Sequence, residues 1–173
     1  MKFQPEYPAI VLENPKFPRN CSAVIRVASC FDVKQVWYTG DRMDRMLSGM
    51  KRLPREERMK GYNTVKFIGY DRPLDYLKGE PIVVEFDEGY MPLTYFTHPL
   101  NAVYIFGPED GGVSKGFRSL AHHFVTIPSR HCLNLATAVS VVISHRTMQM
   151  GWMPDELLSW VVPVDFADDV ELG

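Results

Sequence analysis

The sequence predicts an α/β protein in which helices cover both faces of a parallel sheet. Short apolar runs alternate along the chain with segments of helical spacing, which is the order of a β-α-β chain. These apolar runs lack a strict alternation of polar and apolar residues, as expected for strands that are buried on both faces. The length of 173 residues fits one domain with a sizeable core.

The predicted elements follow one another without a linker or an internal repeat. Strands are predicted at residues 9–12, 34–38, 65–68, 82–85, 102–106 and 124–127. Helices are predicted at residues 21–31, 44–50, 55–60, 115–122, 135–150 and 154–160. Asn20 and Ser114 directly precede two of these helices and are residue types that cap a helix N-terminus. We predict one domain over residues 1–162 and an acidic tail over residues 163–173.

Bulk composition predicts a soluble protein of a reducing compartment, which we expect to be the cytoplasm. No stretch approaches the ~20 apolar residues that a membrane helix needs. Charged residues and prolines interrupt the N-terminal segment too early for a secretory apolar region. The three cysteines are an odd number without CxxC spacing, which gives no support to a disulfide framework or a zinc site.

Charge is unevenly distributed although the net charge is only −2. Between residues 41 and 60, seven basic and four acidic residues give 7 − 4 = +3. A basic patch on a neutral body can serve a local contact with RNA. The alternative is a solvated surface helix, and charge alone leaves both interpretations open.

A first polar motif consists of Asn20 and Arg26, which lie six residues apart near the start of a predicted helix. The immediate neighbours of Arg26 are apolar, so we expect its guanidinium group to be partly buried. A buried arginine needs an anionic partner, because an unpaired buried charge is costly. Its planar set of donors also suits phosphate. A salt bridge within the protein is the alternative.

A second motif, FGPEDGGVS at residues 106–114, follows a predicted strand and precedes a predicted helix. Ligands of open α/β sheets bind beyond the carboxyl ends of the strands. Gly107, Gly111 and Gly112 permit close backbone approach and positive φ, and Glu109 could cap the next helix or meet a cation such as a sulfonium. The motif lacks the patterns of phosphate-binding loops, and its two carboxylates would repel phosphate. A tight turn without a ligand is the alternative.

A third motif, IPSRHCLNL at residues 127–135, again joins a strand to a helix. Ser129, Asn134 and the N–H groups at the start of a helix can hold a cofactor. His131 and Cys132 are adjacent and cannot supply a set of metal ligands, and no third group is evident that would orient a thiol nucleophile. We therefore predict no metal site.

In this order and at this spacing, the three motifs resemble motifs 1, 2 and 3 of the SpoU/TrmH group of SPOUT methyltransferases. The resemblance covers roughly residues 10–150, and the segment THPLNAVYIFGPEDGG at residues 97–112 is especially similar to the tRNA 2′-O-methyltransferases of the group. It implies a SPOUT-type sheet with a deep trefoil knot in its C-terminal part, and a homodimer whose active site is completed across the interface. It also implies S-adenosylmethionine as cofactor and transfer of its methyl group to a ribose 2′-hydroxyl of RNA, with tRNA as the expected substrate.

The resemblance also implies roles for individual residues. Arg26 is expected at the attacking hydroxyl, with Asn20, Glu109 and Asn134 as the other catalytic residues. The residues expected to bind the cofactor are Glu85, Gly107, Pro108, Glu109, Ile127, Cys132, Leu133 and Asn134. For RNA, we expect contacts from basic residues of the segment 41–60 and of the third motif, namely Arg42, Arg45, Lys51, Arg52, Arg55, Arg58 and Arg130.

The sequence departs from the family pattern at three places. Cys132 stands where motif 3 commonly has Ser, the stretch 127–132 is shorter than the usual loop, and Ser144 stands where wobble-position tRNA enzymes often have Tyr. The first two departures predict a weaker contact to the cofactor and a rearranged cofactor pocket, and Ser144 leaves the RNA target open. The alternatives are an rRNA 2′-O-methyltransferase, an enzyme of the same fold that methylates a base, and an RNA-binding protein of the same fold without catalytic activity.

Overall fold

A computed structural model describes residues 4–48 and 62–152 and contains a parallel sheet of seven strands. The strands are β1 Ala9–Leu12, β2 Gln35–Tyr38, β3 Lys66–Gly69, β4 Glu80–Val84, β5 Met91–Pro92, β6 Ala102–Phe106 and β7 His123–Thr126. Their order across the sheet is β3-β2-β1-β6-β4-β7-β5, and every pairing between them is parallel. The predicted α/β fold with a parallel sheet is therefore confirmed.

The register brings the carboxyl ends of the central strands to one level. Leu12 at the end of β1 pairs with Tyr38 of β2 and Phe106 of β6, and Phe106 also pairs with Val84 of β4. The loops that follow these strands consequently start at the same edge of the sheet. This edge is where an open parallel sheet binds its ligands.

Helices and loops cover both faces of the sheet. The helices are α1 Pro18–Cys30, α2 Asp41–Ser48, α3 Lys115–Leu120 and α4 Leu135–Met150, with short 3-10 turns at Tyr62–Thr64, Pro73–Asp75 and Leu93–Tyr95. Helices α1, α2 and α4 pack on the face that carries Ile10 and Tyr104. Val113 and α3 pack on the opposite face, which carries Val11 and Ile105. Successive strand residues point to opposite faces, so β1 and β6, which are buried throughout, have apolar side chains at every position.

Helix α4 has the predicted bounds and clear signals at both ends. Its N-cap is Asn134, whose side-chain oxygen accepts a hydrogen bond of 2.9 Å from the N–H of Ala136. Its C-cap is Gly151 at φ 62°, a conformation that glycine adopts without steric cost. Helix α4 packs against α1 through a buried apolar face.

Several predicted boundaries are wrong. Helix α1 begins at Pro18 rather than at residue 21, so Asn20 is not its N-cap but a residue of its first turn. Proline suits this position, because the first N–H groups of a helix have no partner within it. Helix α2 begins at Asp41 rather than at residue 44, and α3 ends at Leu120. The short strand β5 was not predicted, since two residues give no periodicity.

Other predictions stay untested. The helices at 55–60 and 154–160 and the acidic tail lie outside the described residues. The trefoil knot and the domain boundary at residue 162 stay predictions. Within residues 4–48 and 62–152, none of the helices combines the length and the apolar character of a membrane span.

A buried chain of polar rings joins β6 to the C-terminal part of α4. His98 Nδ1 lies 2.6 Å from the Tyr104 hydroxyl, and His98 Nε2 lies 2.8 Å from Nδ1 of His145. Only 3% of His98 is exposed. Burial is the main cause that lowers the pKa of His98 from 6.5 to about 4, and the charges of His145 and Arg146 lower it further. His98 is therefore neutral at physiological pH.

Candidate active site

A cavity of about 940 Å³ opens at the carboxyl ends of β4, β6 and β7. Its wall combines the start of α1, the end of β4, the loop that follows β6 and the loop that leads into α4. The lining residues are Phe17, Pro18, Arg19, Asn20, Val84, Glu85, Phe86, Phe106, Gly107, Pro108, Glu109, Gly111, Gly112, Ile127, Ser129, Cys132, Leu133, Asn134, Leu135 and Ala138. All three motifs that the sequence analysis singled out contribute to this one cavity.

Three side chains, one from each motif, form a hydrogen-bonded row that we call the motif junction: Asn20, Glu109 and Asn134. The Asn20 amide donates to Glu109 Oε1 at 2.7 Å, and the Asn134 amide donates to Asn20 Oδ1 at 3.2 Å. Glu109 Oε2 accepts a further hydrogen bond of 2.7 Å from the backbone N–H of Lys16. All three residues are predicted from the sequence to belong to the site, and the fold brings them together from positions up to 114 residues apart.

A second carboxylate, that of Glu85, lies in the wall opposite an arginine. Glu85 Oε2 accepts hydrogen bonds from Arg118 Nη2 and from the backbone N–H of Val113, the latter at 3.2 Å. Arg118 also donates from Nε to the Val113 carbonyl at 2.8 Å and from Nη1 to the Tyr90 hydroxyl. Glu85 therefore fastens the loop after β6 to α3. It lines the cavity as predicted, but its charge is already paired.

The glycines of the second motif serve close approach rather than unusual backbone angles. A Cβ on Gly107 would lie 2.7 Å from the Val113 nitrogen, and one on Gly112 would lie 2.1 Å from Glu85 Oε1. The expected positive φ is absent from these glycines; among the glycines of residues 4–48 and 62–152, only Gly40 and Gly151 have it. At Gly107 and Gly112 the packing of the loop therefore leaves no room for a side chain.

Arg26 does not reach the cavity. It is exposed on α1, contrary to the expected partial burial, and it is not part of the cavity wall. Six residues along a helix correspond to about 9 Å along the axis and about 120° around it. Asn20 and Arg26 therefore point in different directions although they belong to one motif.

The remaining predicted site residues divide into three groups. Gly107, Pro108, Ile127, Cys132 and Leu133 line the cavity, and their binding of a cofactor stays a prediction. Among the expected RNA contacts, Arg42 pairs with Asp110 at 2.8 Å, Arg45 pairs with Asp41 at 2.8 Å, and Arg130 is exposed. Lys51, Arg52, Arg55 and Arg58 lie outside the described residues.

Several residues of the site were missed by sequence reasoning. Phe17 and Arg19 line the cavity, and Lys16 supplies a backbone donor to Glu109. Arg118 donates both to Glu85 and to the Tyr90 hydroxyl. The sequence offered a signal for Lys16, Phe17 and Arg19, because these residues lie just before Asn20. Nothing in the sequence relates Tyr90 or Arg118 to Glu85, since the contact depends on how β4 and α3 pack.

Neither a reactive thiol nor a metal cluster is evident in the described part of the chain. Burial is the main cause that raises the pKa of the Cys21 thiol to about 12, and the nearby charge of Glu109 raises it further. Cys132 is exposed at the cavity without a neighbouring base that the structure pairs with it. In residues 4–48 and 62–152, no three His, Cys, Asp or Glu residues are grouped so that they could hold a metal ion.

A cavity at the carboxyl edge of a parallel sheet, walled by three loop motifs that share one polar junction, defines a cofactor-dependent enzyme of the α/β class. The sequence profile of the SpoU rRNA methylase family matches residues 8–144. The chain belongs to the SpoU rRNA methylase family, and the predicted family is thereby confirmed.

Three relatives illustrate the similarity. A tRNA (cytidine(34)-2′-O)-methyltransferase of Beijerinckia indica subsp. indica is 26% identical over 151 residues, which cover 82% of this chain and 91% of that protein. The SpoU methyltransferase AviRb of Streptomyces viridochromogenes, solved in complex with AdoMet, superposes with a TM-score of 0.64 at 20% identity. A structure that concerns 2-OH methylation of C/U34 on tRNA superposes with a TM-score of 0.65 at 22% identity.

The extent of these matches differs. The superposition on the C/U34 structure covers 83% of this chain and 95% of that chain. The superposition on AviRb covers 86% of this chain but only 59% of AviRb. It therefore spans less than two thirds of the length of AviRb. At these identities the two superpositions show that the fold is shared.

Proposed function

We propose that this protein transfers the methyl group of S-adenosylmethionine to a ribose 2′-hydroxyl of RNA, and that its substrate is tRNA. The observation that carries the proposal is the motif junction, in which Asn20, Glu109 and Asn134 meet at one cavity. Membership of the SpoU rRNA methylase family supports the reaction class. The 26% identical relative, a tRNA (cytidine(34)-2′-O)-methyltransferase, supports tRNA as the substrate.

The cavity fits the proposed cofactor in size and in the chemistry of its wall. Val84, Ile127, Leu133 and Leu135 offer apolar surface for a nucleoside. Gly107, Pro108, Cys132 and Asn134, which also line the cavity, supply loop backbone for contacts to the cofactor. When bound, S-adenosylmethionine supplies an electrophilic methyl group on a positively charged sulfur, and no metal is needed because the leaving group is a neutral thioether.

Glu109 is the group in the wall that best matches a cationic ligand. Its hydrogen-bond donors are the neutral Asn20 amide and a backbone N–H, and among the described residues no basic side chain forms a direct ion pair with it. The charge of Arg42 acts on Glu109 only from a greater distance. An unbalanced carboxylate in a partly enclosed site attracts positive charge more strongly than one in water. Glu85 lines the same cavity, but Arg118 already balances its charge. We therefore assign to Glu85 the task of shaping the cavity.

The exposed position of Arg26 supports a homodimer in which Arg26 of the partner subunit completes the site. Catalysis of this reaction requires a group that orients the hydroxyl and favours loss of its proton. Arginine is a poor base because its pKa lies above about 12. Arg26 is therefore expected to polarise the hydroxyl or hold its phosphate, while the proton leaves to phosphate or water. The exposed faces of α1 and α4 are the surfaces on which we expect the second subunit to pack.

RNA is expected to dock on the basic surface beside the cavity. Arg42 and Arg45 of α2 and Arg130 of the third motif belong to this surface in the described residues. We extend the proposal to Lys51, Arg52, Arg55 and Arg58 on the basis of sequence alone. A cytoplasmic location and the knotted C-terminal part complete the proposal.

Incubation of the purified protein with tRNA and methyl-labelled S-adenosylmethionine, followed by digestion to nucleosides, tests the reaction class. The expected product is a labelled 2′-O-methylnucleoside, and its base identifies where to search in the tRNA. Label on a base would refute the ribose mechanism. Label on rRNA fragments and none on tRNA would refute the substrate but keep the chemistry.

Mixing two inactive variants tests whether the active site is shared between subunits. Arg26→Ala and Glu109→Gln are each expected to lower methyl transfer about a hundredfold or more in a homodimer. After subunit exchange at equal amounts, one site of each mixed dimer is intact, so about a quarter of the wild-type activity returns if Arg26 acts across the interface. No recovery, despite mixed dimers that mass spectrometry verifies, would show that Arg26 and Glu109 act within one subunit.

A further inference from the structure

Three charged side chains from separate elements meet beside the cavity. Lys16 precedes α1, Arg42 lies in the first turn of α2, and Asp110 follows Glu109 in the second motif. Asp110 Oδ1 lies 2.8 Å from Arg42 Nη1, and Asp110 Oδ2 lies 3.4 Å from Lys16 Nζ. Each carboxylate oxygen thus faces one cation. We call Lys16 and Arg42 the cation pair.

The cation pair is held against the wall of the cavity. The backbone N–H of Lys16 donates to Glu109, and the next residue, Phe17, lines the cavity with 49% of its surface exposed. Lys16 Nζ also lies 5.4 Å from the centre of the Phe17 ring. On the other side, Glu109 and Gly111, the two neighbours of Asp110, are both in the cavity wall. A group bound by the cation pair is consequently next to whatever occupies the cavity.

All three side chains remain open to solvent. Lys16 is 45% exposed, Arg42 33% and Asp110 37%. Ion pairs of this exposure are weak, so a better anion can replace the carboxylate without leaving a buried charge unpaired. The hydrogen bond from Arg42, together with that from Lys16, lowers the pKa of Asp110 below its usual value. Asp110 is therefore an anion wherever the enzyme works near neutral pH.

The chemistry of the proposed substrate requires an anion site beside the reacting atoms. In RNA the 3′-phosphate is attached to the carbon next to the one that carries the 2′-hydroxyl. An enzyme that methylates this hydroxyl must therefore admit a phosphate diester beside its reacting atoms. Glu109 and Asp110 would repel that phosphate unless cations offset them, and two cations can hold it by charge-assisted hydrogen bonds.

We propose that Lys16 and Arg42 bind a phosphate diester of the substrate RNA beside the methylated ribose, and that this phosphate displaces Asp110 from the two cations. The inference rests on the proposed function. Asp110 keeps the cation pair in place before RNA arrives and competes with RNA for it. Removal of the Asp110 charge therefore strengthens RNA binding, whereas removal of either cation weakens it.

The Asp110→Asn variant gives the sharper test because the expected change runs opposite to that of ordinary damage. We expect tRNA affinity, measured by fluorescence anisotropy at fixed salt, to rise about fivefold. S-adenosylmethionine affinity, measured by calorimetry on the same sample, reports whether the second motif is intact. An Asp110→Asn variant that binds the cofactor normally and tRNA no more tightly than wild type would overturn the proposal.

The cation variants have a matched control on the same helix. Arg42→Met and Lys16→Met are each expected to weaken tRNA binding about fivefold to tenfold and to lower the salt dependence by about one counterion. Arg45→Met removes the same charge from α2, but Arg45 pairs with Asp41 in its own helix, so we expect about a twofold loss. Equal losses in Arg42→Met and Arg45→Met would reduce the site to general attraction and contradict the inference.

The wild-type protein separates this inference from the proposed function. If wild type labels no RNA, the proposed function fails and the phosphate site fails with it. The other case is that wild type forms a 2′-O-methylnucleoside, Asp110→Asn binds tRNA no more tightly than wild type, and Arg42→Met loses no more affinity than Arg45→Met. The function then stands, and only the phosphate site is refuted.

Discussion

Glu109 and Glu85 line the same cavity, but their hydrogen-bond partners differ, and this difference indicates a functional role for Glu109 and a structural role for Glu85. Neutral donors, the Asn20 amide and a backbone N–H, hold Glu109. A guanidinium group, that of Arg118, holds Glu85. A carboxylate whose charge is balanced within the protein has little left for a cationic ligand, whereas an unbalanced one attracts it. Two glutamates that sequence reasoning placed in one group of cofactor-binding residues therefore have different tasks.

Substitution of Glu109 is expected to have the largest effect on methyl transfer. Glu109→Gln keeps the shape but removes the charge, and its amide cannot accept from both Asn20 and Lys16 as the carboxylate does. We expect the rate with tRNA to fall about a hundredfold or more, because loss of one preorganised electrostatic contact in an active site typically costs this much. Initial rates of label transfer measure the effect.

The matched control is Glu88→Gln, which removes the same charge from an exposed glutamate of the loop after β4. Its rate is expected to equal that of wild type. A rate of Glu109→Gln within threefold of wild type would contradict a role of the Glu109 charge in catalysis. Glu109 would then be a structural residue like Glu85.

Disruption of the Glu85–Arg118 pair is expected to have the second-largest effect on methyl transfer, because it weakens binding of the cofactor. Arg118→Met leaves a partly buried carboxylate without its main donor, and we expect the protein to lose about 1.5–3 kcal/mol of unfolding free energy. Because Glu85 holds the loop after β6 through Val113, cofactor affinity is expected to fall about tenfold. Denaturant unfolding and calorimetry measure the two quantities.

The double variant Glu85→Gln/Arg118→Met discriminates a pair from two independent groups. Its loss of stability is expected to be smaller than the sum of the two single losses, because the second substitution removes the partner left unpaired by the first. Arg118→Lys keeps the charge but not the planar donors and should fall between wild type and Arg118→Met. Additive losses would mean that the contact contributes nothing as a pair.

A methyl group added to the second motif tests, from within the loop, whether Glu85 holds the loop after β6 in place. In Gly112→Ala the new Cβ would lie 2.1 Å from Glu85 Oε1, and Arg118 prevents Glu85 from moving away freely. We expect a loss of about 1–2 kcal/mol in stability and about a threefold lower rate of methyl transfer. Gly111→Ala is the control, since the nearest atom to its Cβ is 3.7 Å away. Equal results for both variants would show that Glu85 does not brace this loop.

The strands and α4 could be predicted from the sequence because their signals are local. Apolar runs identify the central strands, and an uninterrupted apolar face followed by Gly151 identifies α4. The motif junction was predictable in its members but not in its bonds, since Asn20 and Asn134 are 114 residues apart. Arg118 and the exposure of Arg26 were beyond reach, because they depend on which side of α3 and α1 faces the rest of the fold.

The smallest effect on methyl transfer is expected at His98, whose polar network, like the motif junction, joins side chains from separate parts of the chain but lies at the other end of α4. His98 is neutral when folded, with a pKa lowered to about 4, whereas in the unfolded chain its pKa is about 6.5. The unfolded state therefore binds the proton first, so stability is complete above pH 6.5 and is lost as the pH falls toward 4.

His98→Asn should be less stable at pH 7.5, because it loses the contacts to Tyr104 and His145, but should lose less further stability on acidification. Unfolding free energies between pH 7.5 and 4 measure this, with His122→Gln, an exposed histidine, as the control that keeps the wild-type profile. The folded His98→Asn protein should transfer methyl groups at the wild-type rate at pH 7.5. A reduced rate would mean that α4 couples its two ends, and that the difference between a supporting and a functional polar network cannot be read from charge balance at the cavity alone.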